Sequence, residues 1–128
     1  MKEKELIRVA AEVRKRAYAP YSGFKVGAAL LTRDQKIYAG CNMENAAYSP
    51  SLCAERAAFA AAVSAGERDF TAIAVIAEGK DYCVPCGVCR QVMLEFCEED
   101  FMIIAAKTED DYRIFRLREL IPHGFCLD

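Results

Sequence analysis

Leu6, Val9, Ala10, Val13 and Ala17 recur at helical spacing near the start of the chain, with Lys, Glu and Arg filling the intervals. That periodicity predicts an amphipathic helix, stopped by Pro20 in "APYSGF". The pattern then changes. "FKVGAALLT" (24–32) and "KIYAGCNM" (36–43) are short apolar runs joined by the polar "RDQ", which predicts a β-hairpin. "CAERAAFAAAVSAG" (53–66) is rich in alanine and predicts a second helix, with Gly66 at its C-terminal cap. "FTAIAVIAE" (70–78) is continuously apolar, as expected of a strand covered on both faces.

A third helix is predicted over "CGVCRQVMLEFC" (86–97), with Pro85 just outside its first turn. "FMIIAAK" (101–107) and "YRIFRL" (112–117) read as strands, and "LRELI" (117–121) as a short helical turn before Pro122. Only "TEDD" separates the last two strands, too short for a parallel crossover, so they should pair antiparallel. The strands at 70–78 and 101–107, linked through the third helix, form a βαβ unit. The element order α-β-β-α-β-α-β-β therefore implies an α/β fold, a mixed sheet with helices on both faces. No repeat, linker or low-complexity tract divides residues 1–128, which are expected to form one domain.

Composition narrows the function classes. The 128 residues are 54% hydrophobic and 28% charged, with net charge −2, the profile of an ordinary globule. Without a basic excess, nucleic acid is not an expected partner. No apolar run is long enough to span a membrane, and "MKEKELIRVAAEVRKR" lacks the uninterrupted apolar core of a signal peptide. Seven cysteines with no export signal fit a reducing cytoplasm in which most thiols stay free, Cys41, Cys97 and Cys126 as buried or part-buried ones.

"CVPCGVC" (83–89) is then the feature that needs chemistry. An iron–sulfur run would continue to a fourth cysteine and a proline, but Met93 stands four residues after Cys89. A structural zinc site would ask for four protein ligands, and the lone His123 beside Gly124 is read as a surface or capping residue. A catalytic zinc asks for three ligands and an open fourth position. Cys86 and Cys89 are spaced for one face of a helix start, where unpaired amides favour thiolate. Cys83, before Pro85, is expected to bind nothing.

"SLCAERAA" (51–58) supplies the third ligand, Cys53, and an acid, Glu55. Residues two apart in a helix point about 200° away from each other. Cys53 and Glu55 can thus converge only if Cys53 occupies the non-helical cap position. Glu55 alone would read as a first-turn carboxylate favoured by the helix dipole. Beside "PCGVC" it reads as a proton carrier.

These blocks, "CAE" (53–55) and "PCGVCRQ" (85–91), resemble the zinc nucleoside deaminase pattern C/H-x-E followed by P-C-x-x-C. "PYSGFKVGAALL" (20–31), "NMENAAYSPSLCAERAAF" (42–59) and "LIPHGF" (120–125) extend the resemblance nearly end to end, to the small homotetrameric cytidine deaminase family. The resemblance implies a three-layer α/β/α sandwich with a five-stranded mixed sheet. It implies hydrolysis of cytidine and 2′-deoxycytidine to the uridines and ammonia, in pyrimidine salvage, by a zinc-activated water attacking C4. Cys53, Cys86 and Cys89 would bind one Zn2+ per subunit, and Glu55 would shuttle protons. Phe24 would pack on the pyrimidine, Asn42 and Glu44 would bind the ribose hydroxyls, and the Ala54 backbone would bond the base. Ala46, Tyr48 and Phe125 would reach into a neighbouring subunit's site, so that tetramer sites are shared.

Three thiolates over-neutralise Zn2+, and the excess negative charge opposes ionisation of its water. Arg56, three residues after Cys53 and fixed in its charge, is the candidate to withdraw it through hydrogen bonds to the thiolates. Two rival classes remain at this point. One is a metal-stabilised binding module without chemistry, and the other a deaminase of nucleotides, nucleic-acid bases or a cytosine-containing antibiotic.

Overall fold

A helix that begins at Lys2 leads the chain onto its sheet. The computed structural model describes residues 2–79 and 81–127. Helix α1 (Lys2–Arg14) is followed by strands β1 (Val26–Thr32) and β2 (Ile37–Cys41). Helix α2 (Ala54–Ser64), strand β3 (Phe70–Ala77) and helix α3 (Gly87–Phe96) come next. Strands β4 (Met102–Ala106) and β5 (Tyr112–Arg116) and the single turn α4 (Leu117–Leu120) complete it. Each predicted element is present. The sheet order is β2-β1-β3-β4-β5, antiparallel except for the parallel pair β3–β4 that α3 connects.

One element departs from expectation. The first helix ends at Arg14, well short of Pro20. Its continuation is drawn off by a bridge to the segment after β2: the Tyr18 amide donates to Asn42 O at 3.0 Å, and the Glu44 amide to Tyr18 O at 2.8 Å. Ala17 therefore leaves the helical face that its spacing predicted. Cys126 is also exposed, where a buried or part-buried thiol was expected, because the C-terminal segment lies on the surface.

Alternation along the central strands builds two cores. Leu6, Ile7 and Ala10 of α1 pack on Ala29, Leu31, Ala74, Ile76 and Ile104. The opposite face, carrying Ala28, Leu30, Ile73, Val75 and Ile103, is covered by Ala58 and Phe59 of α2 and by Cys89 and Met93 of α3. The result is a three-layer α/β/α sandwich around a five-stranded mixed sheet.

This topology positions two helix starts side by side. β2 and β3 each run antiparallel to β1, so both strands end at the same edge of the sheet. The loops that leave them lead to the N-termini of α2 and α3. Phe59 of α2 stacks on Phe96 of α3 with centroids 6.0 Å apart and meets Phe70 edge-on at 5.2 Å, holding the helices together. Gly40 lets α2 lie directly on β2, since a Cβ there would come within 2.7 Å of Ala54 O.

Candidate active site

Cysteines occupy the cap positions of both helices. Cys53 precedes α2 with φ −73° and ψ 153°, and Cys86 precedes α3 with φ −70° and ψ 170°, both extended. Cys53 is thus outside the helix, the condition under which it and Glu55 can face one point. Cys89 is buried one turn into α3. The Cys53 and Cys86 sulfurs are 3.8 Å apart and the Cys86 and Cys89 sulfurs 3.5 Å, all three lying within 4.8 Å of one another. Disulfide sulfurs would be separated by about 2.0 Å. Three thiolates on one tetrahedral zinc, at Zn–S about 2.3 Å, stand about 3.8 Å apart. The donor set therefore fits zinc. Cys83 is not in the cluster; it contributes to the wall of the cleft instead.

Charge is distributed to match. A hydrogen bond from Cys89 is the main cause that brings the Cys53 thiol down to about 5; Arg56 and Cys86 add to it, and burial opposes it. Cys89 moves the other way, its proton held by the bond to Cys53 and by burial. Burial pushes the Cys83 thiol up to about 12, so it stays protonated. Arg56 Nη2 donates to Cys53 Sγ at 3.4 Å, while its buried Nε has no protein partner. Glu55 is only 5% exposed. Burial, reinforced by the negative Cys53, raises its carboxyl to about 7, against the pull of its own amide and of Arg56. A carboxyl poised near neutrality is suited to taking and returning a proton.

A cleft of about 420 Å³ opens over these groups. Phe24, Asn42, Glu44, Tyr48, Ala54 and Arg56 line it together with Cys53, Glu55 and Cys86. Most of the expected site residues are thus brought to one place. Ala46 and Phe125 do not line this chain's own cleft; Phe125 is 68% exposed, its carbonyl accepting a bond from Gln91 Nε2 at 2.8 Å. Asn42 also braces the wall: Oδ1 accepts from the Val26 amide and Nδ2 donates to Phe24 O, each at 2.8 Å. Glu44 accepts from the amides of Tyr21 and Ser22 at 2.9 and 3.1 Å and from the Ser22 hydroxyl, which holds its carboxyl below the usual range. Gly23, at φ +71°, makes the turn that presents Phe24.

Several contributors were not singled out in the sequence. Ser22 secures Glu44, and its signal was the turn-forming "YSGF". Arg90 donates to the carbonyls of Pro85 at 2.7 Å and Leu120 at 2.8 Å, bracing the approach to Cys86. Its position within "PCGVCRQ" was the available signal.

The family model described as the cytidine and deoxycytidylate deaminase zinc-binding region matches residues 1–105. The chain belongs to this family. Among its deaminase relatives, the cytidine deaminase of Sporosarcina psychrophila is 46% identical over 98% of this chain and 92% of its own. That of Halalkalibacterium halodurans is 45% identical over 100% of this chain and 97% of its own. The crystal structure of cytidine deaminase from Burkholderia pseudomallei superposes with a TM-score of 0.93 at 45% identity, covering 98% of this chain and 100% of that one. The Mycobacterium tuberculosis enzyme superposes at 0.86 with 37% identity, covering 99% of each chain.

Proposed function

We infer that this protein is a zinc-dependent cytidine deaminase, converting cytidine, and 2′-deoxycytidine with it, to the corresponding uridine and ammonia. The observation that carries this reading is the convergence of three thiols beside a buried carboxyl, at a cleft that Cys53, Cys86 and Glu55 line. Cys53, Cys86 and Cys89 would hold the zinc. What zinc supplies when bound is Lewis acidity, which makes a hydroxide nucleophile available near neutral pH.

The remaining steps belong to the chain's own groups. Glu55 takes a proton from the attacking water and delivers it to N3 of the pyrimidine. It later carries a proton to the exocyclic nitrogen, so that the C4–N bond breaks as ammonia leaves and C4 keeps the oxygen. Phe24 packs on the ring, the Ala54 backbone bonds the base, and Asn42 and Glu44 receive the ribose hydroxyls with the lone pairs and proton their wall contacts leave free. Arg56 draws charge from the Cys53 thiolate and keeps the zinc electrophilic.

A nucleoside suits the cleft better than a nucleotide. Among its described lining residues the only cation is Arg56, which is engaged with a thiol, and Glu44 would repel a phosphate. The exposed Tyr48 and Phe125, at 79% and 68%, suit contact with neighbouring copies, so a homotetramer with shared sites belongs to this reading. A cytoplasmic location suits its unpaired cysteines. No described helix is long and apolar enough to cross a membrane.

The deciding experiment is ammonia release from cytidine, deoxycytidine, cytosine, CMP and single-stranded DNA, with purified protein of measured zinc content. Zinc near one per chain with turnover of the nucleosides supports the reading. Zinc without turnover of any of them would leave a binding module instead.

A further inference from the structure

The segment between β3 and α3 carries a ligand, and backbone hydrogen bonds among its described residues contribute little to holding it. It brings Cys83 and Val84 to the wall of the cleft and ends at Cys86. No amide of the described residues of 79–85 donates to the backbone of another described residue. A cavity of about 180 Å³ is bordered by Phe24, Ala77, Tyr82 and Cys83. Pro85 is fully buried and Cys83 packs against the core, so the segment is seated at its inner end, while backbone pairing adds little.

Two side chains hold the segment in addition, one from each end. Arg90 Nε grips Pro85 O at one end, as described above. At the other end Tyr82 reaches across to the β4–β5 hairpin. Its hydroxyl donates to Asp111 Oδ1 at 2.6 Å. Its ring centroid lies 4.5 Å from Lys107 Nζ and 4.4 Å from the Arg113 guanidinium carbon. Cation–ring contacts near the surface contribute about 0.5–1 kcal/mol each.

The hairpin is itself anchored. Lys107 and Thr108 amides donate to Asp111 O at 2.9 and 3.2 Å, closing the turn. Lys4 of α1 pairs with Asp110 at 2.9 Å, and Arg8 with Glu109. Tyr82 thus connects the segment to a part of the fold that does not touch the cleft.

We propose that Tyr82 is a positioning residue for the zinc site, fastening the segment that carries Cys86 to the β4–β5 hairpin. This rests on Cys53, Cys86 and Cys89 being the zinc ligands. The alternative is a tyrosine that adds general stability and leaves the ligand geometry alone. Outer contacts that orient a ligand change metal affinity by about 10–100-fold when removed. A contact of general stability alone shifts only the melting temperature.

The test uses the zinc-loaded full chain and its cobalt-substituted form. Zinc transfer to a chromogenic chelator, the thiolate-to-cobalt absorption bands, and kcat and KM are measured for wild type, Tyr82→Leu, Tyr82→Phe, Asp111→Ala and the Tyr82→Phe/Asp111→Ala double variant. Tyr82→Leu is expected to release zinc about tenfold faster. Its cobalt bands should shift and its kcat fall by more than its KM rises. Tyr82→Phe keeps the ring between its cations and should restore most of the spectrum, with a smaller rise in release rate. Asp111→Ala should add little when combined with Tyr82→Phe, because both remove the same hydrogen bond. Wild-type release and spectrum in Tyr82→Leu, whatever its melting temperature, would overturn the proposal. If Tyr82→Leu does not fold, wild-type release in both Tyr82→Phe and Asp111→Ala overturns it. A wild-type protein that binds no zinc would instead refute the ligand assignment on which it rests.

Discussion

Arg56 and Cys53 are one helical turn apart, and the guanidinium Nη2 donates to the thiol sulfur across 3.4 Å. The cation sits where it can take charge from a ligand without being a ligand itself. Replacing Arg56 with Gln keeps a hydrogen-bond donor and removes the charge. The expected result is lower kcat, weaker zinc retention, or both. Unchanged kinetics with full metal content would show that the guanidinium does not tune the site.

Glu55 lies beside the sulfurs but outside their cluster, so its loss should spare the metal. Glu55→Gln preserves shape and removes the exchangeable proton. Turnover should drop by about 10²–10⁴-fold, with zinc content unchanged by atomic absorption. Loss of zinc in this variant would assign Glu55 a structural role.

Cys83 and Cys86 are three residues apart with opposite expectations. Cys86→Ser should reduce zinc content and abolish activity, whereas Cys83→Ser should keep one zinc per chain, since its sulfur is outside the ligand cluster. A strong chelator should inactivate the wild-type protein, and added zinc should restore it.

Asn42 holds both Val26 and Phe24 through its amide. In Asn42→Asp the donor to Phe24 O is lost and like lone pairs face each other. Phe24 should lose its orientation, raising KM by about tenfold, the effect of roughly one hydrogen bond, with less effect on kcat. Steady-state kinetics on cytidine would reveal the split, and an unchanged KM would argue against the role given to this pair.

Gly27 and Gly40 offer a contrast between stability and function. An added Cβ at Gly27 would collide with the Ala10 carbonyl and lie 2.8 Å from Arg14 N, on the face away from the cleft. At Gly40 it would press on α2 at Ala54 and Ala58, beside Cys53 and Glu55. Both Gly→Ala changes should cost about 1–3 kcal/mol in denaturant titration. Only Gly40→Ala should also slow the folded enzyme.

Much of this architecture was legible because each apolar run has one reading. Phe70–Ala77 is too apolar for a surface strand, and "TEDD" is too short for anything but an antiparallel return. If Cys53 and Glu55 were to share one point, Cys53 had to be at the cap, since no helical placement turns residues 53 and 55 together, and that is where it lies. Less legible was whatever depends on distant partners. The early end of α1 is decided by Asn42 and Glu44, which bond to Tyr18 from beyond the hairpin. Tyr82 and Asp111 are separated by 29 residues and share no motif. The second duties of Asn42 and Glu44, as braces of the cleft wall, are carried by backbone atoms whose placement no side-chain pattern announces.

The cap positions of α2 and α3 have one more consequence. Each is filled by a cysteine that makes no capping hydrogen bond, where Ser, Thr, Asp or Asn would contribute about 1 kcal/mol. Metal bound by those same cysteines ties two otherwise uncapped helix starts together, and ligand binding of this kind stabilises the native state by mass action. A chain short of metal should therefore fray first at Cys53 and Cys86 and be cleaved there by proteases. Its abundance in the cell would then follow the zinc supply, so that the nutrient governs how much enzyme exists as well as how fast each copy works.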